Sequence, residues 1–151
     1  IAILLIVASG HVSAAIPIVT LEDGKTIELT AAVLAPLQRI TVHATSHGKL
    51  ATFEGHDLAL ILKAVGAGPV ESPGGKNLVK TIAVSAADNY RVIFSFSELD
   101  PTLGNNQVLL IDRENGQPLP ADDGPWRLVV PSDKRPARWV RQVTSIVISG
   151  N

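Results

Sequence analysis

The sequence predicts a single α+β domain whose sheet is mixed and curved or barrel-like, with a few short helices. Three observations lead there. The chain has 151 residues, 46% hydrophobic and 18% charged, which suits one domain with one substantial core. Its apolar stretches are short, alternate with a period of two, and are separated by turn residues. No linker composition and no repeat period interrupts it, so the many short strands and few helices belong to one unit.

The elements follow in order. Residues 16–21 and 26–29 alternate on either side of Glu22-Asp23-Gly24-Lys25, and Asp-Gly supplies the positive dihedrals of a tight hairpin. Thr30 is placed to cap a short helix over residues 31–37, which Pro36 limits. Residues 38–44 alternate as a half-buried strand, Thr45 to Gly48 turn the chain, and residues 50–53 return it. Asp57 precedes Leu58, Ile61, Leu62 and Val65 at helical spacing, and Gly66 ends that helix. After a loop over residues 71–77, strands are expected over 78–84 and 90–96, joined by Ala87-Asp88-Asn89. Residues 97–101 read as a brief helix or turn, 107–111 and 127–130 as strands, 131–141 as irregular or short helix, and 143–148 as a closing strand. Leu58, Ile61, Leu62, Val84, Phe94, Leu109, Leu128, Val130 and Ile146 are the expected core.

Residues 1–14 read as the remnant of a signal peptide and 15–151 as the domain. The run IAILLIVASG is an apolar h-region, and Val12-Ser13-Ala14 offers small residues for cleavage. A buried first strand or helix is the alternative. About 20 apolar residues are needed to span a bilayer, so no stable transmembrane segment is expected. A periplasmic or secreted protein follows from the leader reading.

Composition narrows the chemistry. Without cysteine there is no disulfide, no thiolate nucleophile and no sulfur-ligated metal. The balance of 13 Lys+Arg against 14 Asp+Glu argues against nucleic acid as a partner. Three clusters remain. His43, Ser46 and His47, with His56 further on, are a histidine metal site, ordinary turn histidines, or part of a pocket. Residues 131–141 carry Lys134, Arg135, Arg138 and Arg141 against Asp133 alone. That segment is a phosphate grip, a solvated basic edge or a protein contact. Asp88-Asn89-Tyr90-Arg91 is a hairpin turn anchored by its tyrosine, or a pocket rim. No catalytic triad is defined by these residues, because triads are recognised by geometry.

The succession ATFEGHDLALILKAVGAG, AVSAADNYRVIFSFSELDP and VLLIDRENGQPLPADDGPWRLVVPSDKRPARWVRQVTSI resembles the sulfite-oxidase-type molybdopterin-binding domain in a small stand-alone form. It covers roughly residues 30–149, and NGQPLP…DGPWRLVVP…RWVRQVTSI is its most specific part. The resemblance implies a mixed α+β fold around a curved sheet and, in full-length members, a molybdenum cofactor supporting oxygen-atom transfer or related redox chemistry. Lys134, Arg135 and Arg138 fall near the family's pterin-phosphate-binding segment, with Tyr90 and the His43, Ser46, His47 loop as walls. Ala44 falls where the family carries its metal-binding cysteine, so thiolate-ligated molybdenum is not expected and no metal ligand is assigned.

The resulting expectation is an exported molybdopterin-binding-like protein that takes a pterin or another anionic, phosphorylated small molecule without turning it over. Its rivals are a structural or interaction module for an exported redox partner, and a molybdopterin-dependent oxidoreductase. Arg138, read as an exposed ligand contact, is expected to contribute little to the empty fold.

Overall fold

The computed structural model describes residues 15–68 and 75–150. The expected leader, residues 1–14, lies outside the described residues, as does the 71–74 part of the expected loop.

Among the described residues ten strands form two open sheets of five. The first contains β1 (Ile18–Thr20), β2 (Thr26–Glu28), β5 (Thr81–Ala86), β6 (Arg91–Ser95) and β10 (Val143–Ser149) in the order β2-β1-β10-β5-β6. It is mixed, because β1 runs parallel to β10 while the other pairs are antiparallel. The second runs β3 (Ile40–Ser46), β4 (Lys49–Asp57), β7 (Leu109–Glu114), β8 (Gln117–Pro118), with β9 (Arg127–Val129) also on β7. Three short helices, α1 (Ala31–Leu34), α2 (Leu58–Ala64) and α3 (Phe96–Leu99), complete the α+β class. The mixed sheet is thus open, as the curved rather than the barrel-like form of the expectation has it.

Local chemistry explains most boundaries. Gly24 takes φ +84° in the β1–β2 turn. At the β3–β4 turn, His47 and Gly48 both have positive φ, as the tightest two-residue hairpin requires, so pairing continues to Ser46 and Lys49 beyond the expected strand end. Thr30 caps α1 by accepting from the Val33 amide, and Asp57 caps α2 by accepting from Ala59. α1 ends at Leu34, three residues before the expected end.

Three strand expectations need correction. β4 runs on through Asp57 because Gly55 sits at a shift in the β4–β7 register, where an added Cβ would meet the Leu110 carbonyl oxygen and the Ile111 Cα at 2.5 Å. Its partner β7 correspondingly extends to Glu114. β5 begins at Thr81 rather than at residue 78, since β10 ends opposite it at Ser149, and Leu78 and Val79 instead lie in a 3-10 turn, Gly75–Val79.

One continuous hydrophobic cluster joins the two sheets, and all nine expected core residues belong to it. The crossing from the second sheet back to the first, residues 130–143, is fastened to this core. Trp139 is buried edge-on against Phe53, at 5.5 Å between centroids, and its indole N–H donates to the Val130 carbonyl at 3.1 Å. That anchor holds the basic segment beside the β3–β4 turn.

Candidate functional site

Two open clefts flank the basic segment. The larger, about 840 Å³, includes Ser46, His47, Asp88, Tyr90, Asp122 and Arg135 in its lining. The second, about 660 Å³, is bounded by His43, Ala44, His47, Lys134 and Arg135 among others. His47, Arg135 and Pro136 belong to both, so the two clefts adjoin across the loop that carries Arg135.

Two neighbouring backbone ties explain why the loop stands there. The Tyr90 hydroxyl donates to the Ala137 carbonyl at 2.6 Å, joining the β5–β6 hairpin to a 3-10 turn, Pro136–Arg138. Tyr90 itself is set by Asp88, whose carboxylate accepts from the Tyr90 amide at 2.9 Å. The tyrosine therefore serves both as the hairpin anchor and as a wall of the larger cleft.

The cations have separate fates. Arg138 lines neither cleft. Its Nε and Nη2 donate to the two Asp133 carboxylate oxygens at 2.9 and 2.7 Å, its Nη1 donates to Glu98 Oε1 at 2.7 Å, and the guanidinium lies 4.7 Å from the Phe94 ring centroid. Hydrogen bonding to Asp133 raises its pKa, with Glu98 adding to the effect against the opposing cost of burial. The expected exposed ligand contact is thus an internal clamp, and Ser132, hydrogen-bonded to Asn106, fixes the same loop. Lys134 and Arg135 remain exposed on the loop, and neither has an ion-pair partner among the described residues.

The histidines divide as well. His47 lies between the clefts, and His43 lines the second, where Thr52 Oγ1 is 3.1 Å from its Nδ1. His56 is buried away from them and donates from Nδ1 to the Gln38 carbonyl at 3.2 Å. Among the described residues no group of three or more His, Asp or Glu could hold a metal ion.

Other lining residues were not marked by their local sequence. Arg127 is buried behind the larger cleft, paired with Asp123 at 3.0 Å and with Glu114 at 3.8 Å, and stacked 5.7 Å from the Trp139 ring. Its Nε has no hydrogen-bond partner among the described residues. Arg141 reaches Asp123 at 3.6 Å. The available signal was Asp123 four residues before Arg127, a pattern of charge rather than of motif. The larger cleft therefore carries acids already matched to arginines, plus Asp88 and Asp122 without ion pairs among the described residues.

Comparison with known proteins places this geometry. The oxidoreductase molybdopterin binding domain family matches residues 22–151, and the chain belongs to that family. The crystal structure of the sulfane dehydrogenase SoxCD from Paracoccus pantotrophus shares the fold, with a TM-score of 0.65 and 17% identity over 89% of this chain. The chain spans 38% of that protein's length. No curated protein matches.

The residues present do not fit a thiolate-held molybdenum. Ala44 is a buried methyl on β3 at the edge of the second cleft, and the chain has no cysteine to supply the ligand. A molybdopterin-binding domain without a protein thiolate is what the sequence and structure define.

Proposed function

We propose that the adjoining clefts bind a pterin or another phosphorylated, anionic small molecule, and that the protein does so without thiolate-ligated molybdenum catalysis. The observation that carries this reading is Arg135, a cation that lines both clefts and has no ion-pair partner among the described residues, while Arg127, Arg138 and Arg141 are all matched. Lys134 adds a second unmatched charge beside it. A phosphate is the group such a pair grips best, since arginine offers a planar fork and lysine a mobile charge.

The opposite wall suits the heterocycle. Asp88 and Asp122 accept hydrogen bonds from amino and ring N–H groups, the Tyr90 ring offers an apolar edge, and His43, Ser46 and His47 close the turn side. The reading places the protein in the periplasm or outside the cell, supported by the apolar, small-residue pattern of residues 1–14.

Calorimetric titration tests it. A phosphorylated pterin should bind more tightly than its dephosphorylated counterpart, the preference should shrink as salt is raised, and Arg135→Ala should remove most of it. Equal affinities in the wild type, or an undiminished preference in Arg135→Ala, would reject the site.

A further inference from the structure

The first sheet has one face in the core and one outside it. On the inner face Val19, Val84, Val92 and Ile146 join the hydrophobic cluster. The pairing registers join the outer positions into rows across all five strands. One row reads Glu28, Ile18, Ser145, Ser85, Arg91. In the next, Val147 pairs with Ala83 and Ala83 with Ile93.

This face departs from the usual solvent side of an antiparallel sheet, which is polar and charged. Apart from Glu28 and Arg91, every outer position in these strands is uncharged and mostly small. Ile93 is 56% exposed and Ile18 is 38% exposed. Ala83 is buried yet stands outside the core cluster. The two charges sit at opposite edges of one row, and neither has an ion-pair partner among the described residues.

We infer that this face packs on the same face of a second copy, about a two-fold axis along β10. The central strand of the order β2-β1-β10-β5-β6 is β10, so such an axis exchanges β2 with β6 and leaves each row in place. Glu28 then meets Arg91 of the second copy, and Arg91 meets Glu28 of the second copy, at both ends of the interface. Ser145 faces its own equivalent near the axis. Flat rows of small side chains allow the close approach that sheet-on-sheet packing needs. A self-complementary patch is the requirement for a closed two-fold dimer, and this row satisfies it.

The face is small. Two rows span all five strands, and a third, Ser149-Thr81-Ser95, spans only β10, β5 and β6. Four interstrand steps of about 4.8 Å across the two full rows give roughly 300 Å² per copy with side-chain margins, so about 600 Å² in total. That is at the small end of protein interfaces and predicts a weak dimer rather than an obligate one.

Sedimentation equilibrium of the full chain tests the assignment, with Glu28→Arg, Arg91→Glu, the combined swap and Ser145→Arg as variants. The wild type should show a concentration-dependent monomer–dimer equilibrium. Each single swap sets like charges together at both ends and should weaken it at least about tenfold, and the combined swap should restore it to within about threefold. Ser145→Arg, which brings two guanidiniums together on the axis, should leave a monomer. All three positions lie outside the core, and circular dichroism should show each variant folded; an unfolded variant is replaced by lysine at Val147, with the same expected loss of dimer. A wild type that stays monomeric up to about 1 mM would overturn the proposal. So would a dimer that the single swaps do not weaken, or one that the combined swap does not restore.

Discussion

Replacing Arg138 with alanine should destabilise the protein by about 2–3 kcal/mol, although its local sequence reads as a free basic edge. The bidentate bond to Asp133 is charge-assisted and geometrically well matched, and the Glu98 bond extends the network to α3. Both pairs must be discounted for solvent, since the Arg138 and Glu98 side chains are 30% exposed. About 1 kcal/mol for the Asp133 pair and about 0.5–1 kcal/mol for Glu98 are reasonable after screening. The stacked position over Phe94 adds about 0.5–1 kcal/mol. In a chain of this size that sum corresponds to a melting temperature lower by about 4–12 °C. Urea unfolding should show a lower midpoint at unchanged slope. Arg138→Lys should fall between the wild type and the alanine variant, because it keeps the charge and loses the fork. A double-mutant cycle with Asp133→Asn should return a coupling of about 1 kcal/mol. A loss below about 0.5 kcal/mol for Arg138→Ala, the range of an uninvolved surface site, would refute the clamp and return Arg138 to the pool of ligand contacts.

Leu128→Ala should cost about 2–5 kcal/mol in denaturant unfolding, because Leu128 is fully buried and its loss adds a cavity term to the transfer term. Gly55→Ala should cost more than about 2 kcal/mol by the same assay, since its Cβ would collide with β7 backbone rather than with a movable side chain, and a near-neutral result would refute the β4–β7 register. Burial raises the Asp57 pKa against the opposing amide bonds from Ala59 and Leu60 and the Gln107 side chain. A raised carboxyl pKa contributes stability below the unfolded value that is lost as pH rises through the folded one, so wild-type stability relative to Asp57→Asn should fall across the acid range as pH rises above the ordinary aspartate value. A flat difference across that window would contradict it.

Much of the fold was legible because local chemistry and tertiary packing agree. Asp23-Gly24 turns the first hairpin, Asp57 starts α2, and the nine core residues follow directly from periodicity. The boundaries that moved were set by partners far away in sequence. Leu78 and Val79 have strand-like side chains, but β10 has already ended opposite Thr81, so no partner remains for them. β4 outran its expected end because Gly55 permits the close approach of β7, a fact about Leu110 and Ile111. The site divides in the same way. Ser46, His47, Tyr90 and Arg135 do line one cleft, as turn chemistry and local charge suggested. Arg138 was misleading because one of its two acidic partners, Glu98, lies forty residues upstream. Arg127 was overlooked because its local mark, Asp123 four residues earlier, is a charge spacing that belongs to no motif.

The cleft's framework is held by protein contacts. Ala44 pairs across β3 and β4 with Ala51, and both are buried members of the core cluster, so this position serves packing. Trp139 on Phe53, Tyr90 on Ala137 and Arg138 between Asp133 and Glu98 then hold the loop bearing Lys134 and Arg135 against two different sheets. A loop so fastened loses little conformational freedom when a ligand arrives, and preorganisation of this kind lowers the ordering cost of binding. Glu114 and Asp123 beside it are matched to arginines, while Asp88 and Asp122 have no ion pair among the described residues, and Arg135 and Lys134 are the cations there with capacity to spare. The same division of labour separates the two surfaces of the molecule: the clefts lie where the two sheets approach the basic segment, whereas the outer face of the first sheet, charged only at Glu28 and Arg91, points away from the core. Ligand binding and self-association therefore draw on different residues, and neither of the tests above disturbs the other's site.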